Sequence, residues 1–60
     1  MDMLVPAREA ARILGTSTRT LMRRRARGEG PNWVRQGGRI FYATADLTAY
    51  IEALRAGVAA

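Results

Sequence analysis

The 60-residue sequence contains no cysteine, no histidine and no lysine. Without cysteine or histidine there is no disulfide framework, no thiolate nucleophile, no imidazole base and no soft or borderline metal ligand, which excludes zinc, iron and triad chemistry. Carboxylates are scarce as well. Acid–base catalysis needs two of them converging on a pocket, whereas Asp46 and Glu52 leave one helix at different angles and Asp2, Glu9 and Glu29 are scattered, so neither an active site nor a cofactor is expected. No apolar run reaches the roughly 18 residues of a membrane span. The start Met1-Asp2-Met3 lacks the basic region of a signal peptide, and the expected location is the cytoplasm.

Length sets a further bound. A chain of this size is expected to form one small domain over residues 1–60, with a core over about 4–56, burying roughly 60% of its unfolded surface and leaving no room for a deep substrate pocket. Aliphatic and aromatic residues make up 48% of it, too many for a disordered basic tail. The ten basic residues are all arginine, and against five acids they leave a formal net charge of +5. Codon usage in a GC-rich genome would account for arginine in place of lysine, but not for the excess charge. The planar guanidinium fork matches phosphate and guanine edges, so nucleic acid is the first candidate partner and an anionic membrane surface the second.

Hydrophobic periodicity and the positions of glycine and proline divide the chain into three helices and one strand pair. The first helix is expected to begin at Pro6, a residue suited to the first helical position. Its apolar stripe is Ala7, Ala10, Ala11 and Leu14, Arg8, Glu9 and Arg12 face away, and Gly15 ends it. Ser17 is a good N-cap for a second helix from Thr18 to Ala26, ending near Gly28. Taking Leu21 as the inward direction, Arg19, Arg23 and Ala26 point outward with Arg27 alongside. Gly28-Glu29-Gly30-Pro31 reads as a loop. Trp33-Val34-Arg35-Gln36 and Arg39-Ile40-Phe41-Tyr42, joined by Gly37-Gly38, make a strong hairpin signal, because that turn requires positive φ at both central residues. Thr44 can cap a third helix with the stripe Leu47, Tyr50, Ile51 and Leu54, Asp46 in its first turn and Gly57 at its end.

Helix, tight turn, helix, Gly-Pro loop, Gly-Gly hairpin and capped helix together resemble the MerR-like winged-helix family of small excisionases and AlpA-like regulators. The matching pieces are Ala10-Ala11-Arg12-Ile13-Leu14-Gly15-Thr16-Ser17, Thr20-Leu21, Gly28-Glu29-Gly30-Pro31, Val34-Arg35-Gln36-Gly37-Gly38-Arg39, Tyr42 and Asp46-Leu47-Thr48-Ala49-Tyr50-Ile51. They span residues 4 to 54, and their order and spacing, rather than any one piece, carry the likeness. The resemblance implies an α+β winged helix-turn-helix of three helices, with a two-stranded β-hairpin wing between helices 2 and 3. It also implies that the second helix lies in the DNA major groove and that the wing reaches the adjacent minor groove or backbone. Two departures stand out. Arg24 occupies a place where the family carries an aromatic, so either its stem covers the core edge or Trp33 supplies the ring. Val5 stands where a capping Ser or Thr precedes Pro6.

A solvated charged face would account for any one arginine of the second helix. It does not account for Arg19, Arg23, Arg24, Arg25 and Arg27 together without an acid among them, since like charges at i, i+4 cost roughly 0.2–0.5 kcal/mol per pair. Base reading is expected from Thr18, Arg19 and Arg23, with Arg27 and Ser17 nearby; Ser17 can cap the helix and also touch a phosphate. Met22 can meet a thymine methyl or pack half-buried. Gln36 and Arg39, with Arg35, can grip phosphates or enter a minor groove. Tyr42 is expected in the core, while Trp33 is open between packing and base stacking.

One domain of this kind covers roughly 600–1,000 Å² of DNA against roughly 10⁶ or more competing sites. Self-association along repeated sites, with bending of the duplex, is therefore expected. The resemblance leaves two roles for such an array: an excisionase that directs an integrase toward excision, or a transcriptional regulator at a promoter. Binding of RNA through the Arg-rich segment is a different class, disfavoured by the hairpin and the apolar third helix. A protein-interaction module using Trp33 and Phe41 as an exposed patch is another.

Overall fold

A computed structural model of the protein describes residues 2–57. The chain runs through strand β1 (Leu4–Pro6), helix α1 (Ala7–Leu14), helix α2 (Thr18–Ala26), strands β2 (Val34–Gln36) and β3 (Arg39–Ala43), and helix α3 (Thr44–Arg55). The three strands form one antiparallel sheet in the order β1-β3-β2.

Glycine sets the two sharpest changes of direction. Gly15 takes a left-handed φ of 70°, and the Gly15 and Thr16 N–H groups donate to the carbonyls of Arg12 and Ala11, which closes α1 and turns the chain at once into α2. Gly37 and Gly38 sit at φ 60° and 78° between Gln36 and Arg39, which pair across the hairpin as a two-residue turn demands. The start of α2 is fixed by Ser17, whose Oγ accepts a hydrogen bond from the Thr20 N–H at 3.1 Å.

The core is small and drawn from every layer: Ala10 and Ala11 of α1, Leu21 of α2, Tyr42 of β3 and Leu47 of α3. The two alanines explain the close helix pair. With only methyls at Ala10 and Ala11, α2 can approach until Leu21 is 1% exposed. Tyr42 is equally buried, yet its hydroxyl is satisfied by the Nη1 of Arg25 at 3.1 Å. Arg24 resolves the missing aromatic. Its stem lies against Gly30, where an added Cβ would sit 3.4 Å from the Arg24 Cβ, and its guanidinium donates to the Tyr50 hydroxyl at 3.1 Å. Trp33 does not supply the ring; it stays 39% exposed at the head of β2.

Four sequence expectations are corrected. The sheet has three strands rather than two, because residues 4–6 pair with β3 in the register Val5↔Tyr42 and Pro6↔Phe41. Pro6 accordingly ends a strand and stands at the N-cap of α1 with extended ψ of 161°, so the helix begins at Ala7. That strand pairing, rather than a capping hydroxyl, fixes where the chain enters α1. Thr44 is the first residue of α3, not its cap; the cap is supplied by Asp2, whose Oδ1 accepts from the Ala45 N–H at 3.0 Å and from the Thr44 hydroxyl at 3.1 Å. Leu54 does not join the core and is 47% exposed.

The Asp2 cap carries a pH signature. The Ala45 N–H and then the Thr44 hydroxyl hold the carboxyl below the usual aspartate value. A folded-state pKa below the unfolded one means a contribution that is fully present above about 3.8 and is lost as the pH falls through the lower folded value. Asp2→Ala should lower the thermal midpoint by a few degrees at pH 7, and the gap from the unsubstituted chain should close on acidification, as followed by circular dichroism.

Candidate nucleic-acid interface

The second helix divides its surface sharply. At 100° per residue, Thr18, Met22, Ala26, Arg19 and Arg23 follow one another around an arc directed away from Leu21, and all five are exposed. Arg27 follows at the helix end, also exposed. The wing is fully exposed through β2 and at Arg39, the first residue of β3.

Between α2, the wing and the head of α1 lies an open concavity. Thr18, Arg19, Met22 and Arg39, all expected from the sequence, line it together with Arg8 and Arg25. Ser17, Arg23, Arg27 and Gln36 lie outside it; Ser17 is occupied with Thr20 through both its cap bond and a 3.0 Å hydroxyl contact, and the other three are exposed. No carboxylate lines the concavity. The nearest acid in sequence, Glu9, is taken by Arg12: Arg12 Nη2 stands 2.7 Å from Glu9 Oε2 and Nε 3.2 Å from Oε1. That pairing holds the Glu9 carboxyl below its ordinary range and raises the Arg12 guanidinium above its own. It is the single ion pair among the described residues, so no cation of the concavity is ion-paired.

Arg8 and Arg25 were not singled out by the sequence. The α1 wheel correctly turns Arg8 away from the alanine stripe; only the later elements, wrapping round, make that outward direction a wall of the concavity. Arg25 has three roles at once: it lines the concavity, donates to the buried Tyr42 hydroxyl and lies over the Trp33 ring at 5.6 Å from its centroid. Arg35 lies over the same ring at 6.0 Å, and Arg39 over Phe41 at 5.9 Å. The aromatic patch considered for a protein partner is thus overlaid by guanidinium groups, which makes the surface cationic.

Two helices joined by a tight turn, followed by an antiparallel wing and a closing helix, define a winged helix-turn-helix. A family profile described as a helix-turn-helix domain matches residues 7–55, and the chain belongs to that family, an AlpA- and excisionase-like group of small DNA-binding domains. It is a small DNA-binding helix-turn-helix protein. No curated protein and no solved structure shows a significant match. Among the described residues no helix is long and apolar enough to cross a membrane, and no group of His, Cys, Asp or Glu is placed to hold a metal ion.

Proposed function

We propose that the protein acts as one domain that reads duplex DNA by sequence and serves as an excisionase, a factor that sets the direction of recombination. The observation that carries the reading of DNA is the joint arrangement of the outward arc of α2 and the wing around a concavity that is cationic and free of carboxylates. In this reading α2 enters the major groove. Thr18, Arg19 and Arg23 meet base edges, Met22 approaches a thymine methyl, and Ser17 and Arg27 touch flanking phosphates. Gln36 and Arg39 at the tip of the wing reach the adjacent minor groove or its backbone.

The excisionase role rests on the family likeness and on size. A footprint of this extent reads too few base pairs to be selective alone, so protomers bind neighbouring repeats cooperatively and bend the duplex. The bent assembly then directs a separate integrase toward excision. The protein contributes architecture and no bond-breaking step, and needs no cofactor for it. An array of the same kind over a promoter would regulate transcription; an adjacent integrase gene flanked by attachment-site repeats is the observation that decides between the two roles.

Selection from a randomised duplex library tests the base-reading assignment. Arg23→Ala should relax the selected motif at one base pair, a loss of roughly 1–3 kcal/mol of discrimination, with the circular dichroism spectrum unchanged because Arg23 is exposed. An unaltered motif would remove Arg23 from the recognition face.

A further inference from the structure

An element in the major groove and another in the adjacent minor groove must straddle the sugar-phosphate strand that separates them. In this protein the space between α2 and the wing is closed at its back by the head of α1, where Arg8 stands. The concavity gathers Arg8, Arg19, Arg25 and Arg39 from α1, α2 and β3, with no carboxylate in its lining; Glu9, ion-paired with Arg12, lies next to Arg8 and feels its charge. Arg25 is engaged with Tyr42 and Trp33. The Arg8 and Arg19 side chains make no hydrogen bond or ion pair among the described residues, while the Arg39 side chain is engaged only by its stacking over Phe41. Like charges brought together without a counter-charge repel one another in the free protein, and a phosphate is the group that relieves them. The first turn of α1 lines the same space and no side chain caps it, which adds peptide N–H donors beside the arginines.

We infer that Arg8 is a DNA-contacting residue, and that Arg8 and Arg39 together seat one backbone phosphate of the strand that passes between α2 and the wing, beside the base-reading Arg19. This rests on the reading that α2 and the wing face DNA. It adds α1 to the interface, an element whose other residues serve the core and the turn. A seat for one phosphate fixes register without reading sequence, so Arg8 sets affinity and salt dependence and leaves the choice of bases to α2.

The test is fluorescence anisotropy with a labelled mixed-sequence duplex over a salt series, using the unsubstituted protein, Arg8→Ala, Arg8→Lys and Arg55→Ala. Arg55 is an exposed arginine lining a different depression, between the C-terminal ends of α1 and α3. Each phosphate contact contributes a slope of about 0.9 in log affinity against log salt. Because Arg39 holds the same phosphate, Arg8→Ala should lower the slope by a part of that amount, so that the affinity change between 50 and 200 mM salt shrinks by up to about threefold. The selected motif should stay the same, Arg8→Lys should restore most of the slope, and Arg55→Ala should match the unsubstituted protein. Arg8→Ala should melt no lower than the parent, since it removes a positive charge from a helix N-terminus. If the parent shows a steep slope and Arg8→Ala retains it, the phosphate seat is wrong and the reading of DNA by α2 and the wing stands. If the parent slope is itself flat, both fall together.

Discussion

Replacing Leu21 by alanine is expected to leave little folded protein at 37 °C. Leu21 is 1% exposed and stands where α2 meets Ala10 and Ala11 of α1, Tyr42 of β3 and Leu47 of α3. The alanines facing it are already the smallest side chains a helix can offer, so they cannot move in to fill the space. Buried Leu→Ala changes cost roughly 2–5 kcal/mol, and more where the surroundings cannot collapse. A domain of this length commands only about 3–5 kcal/mol in all. At roughly 4–8 °C per kcal/mol, the thermal midpoint should drop by at least about 10 °C or the transition should vanish. Met22→Ala, one residue along the same helix at 52% exposed, should melt within a few degrees of the parent. A Leu21→Ala protein that melted as Met22→Ala does would mean that α2 is not packed through Leu21, and the outward arc of arginines would have to be redrawn.

That arc was legible because α2 carries its own instructions. Ser17 at the cap, Leu21 inward and Gly28 beyond the end fix both the boundaries and the rotation of the helix from local spacing alone. The hairpin was equally plain, since Gly37-Gly38 accepts positive φ at two successive positions and few other pairs do. What the sequence did not disclose was every feature that joins distant parts of the chain. Strand β1 is three residues long, ends in proline and has no alternation to display; it exists because β3, nearly forty residues later, offers an unpaired edge. Asp2 caps α3 across a similar separation, and Thr44, the local candidate, is instead the first residue of the helix. Leu54 fitted the helical stripe of α3, but the core narrows before the last turn and leaves it in solvent.

The interface divides in the same way. Thr18, Arg19 and Met22 were placed by the rotation of α2, and Arg39 by the hairpin turn, so the sequence alone picked out four of the nine residues that line the concavity. Arg8 escaped because periodicity reports which way a side chain leaves its own helix and is silent about what comes to stand opposite. Arg25 escaped for a related reason. Beside Leu21 on the wheel it reads as a flank of the core, and only the tertiary structure shows its guanidinium reaching the Tyr42 hydroxyl and the Trp33 ring. Such a residue ties α2 to Tyr42 of β3 and to Trp33 at the head of the wing.

Whether the arginines of α2, the wing and the head of α1, free of ion pairs, bind the backbone of duplex DNA is tested most directly by the salt dependence of binding. With four or five phosphates neutralised, the slope of log affinity against log salt should be about −4, so affinity for a short duplex should fall about 10²- to 10³-fold between 50 and 200 mM monovalent salt. No carboxylate lines the concavity; an arginine already paired with one would neutralise no phosphate and release no counterion from the DNA. Measured by anisotropy over that range, a steep linear decline is the expected result. Binding that changed by less than about threefold over the same range, or no binding at low salt, would contradict the account.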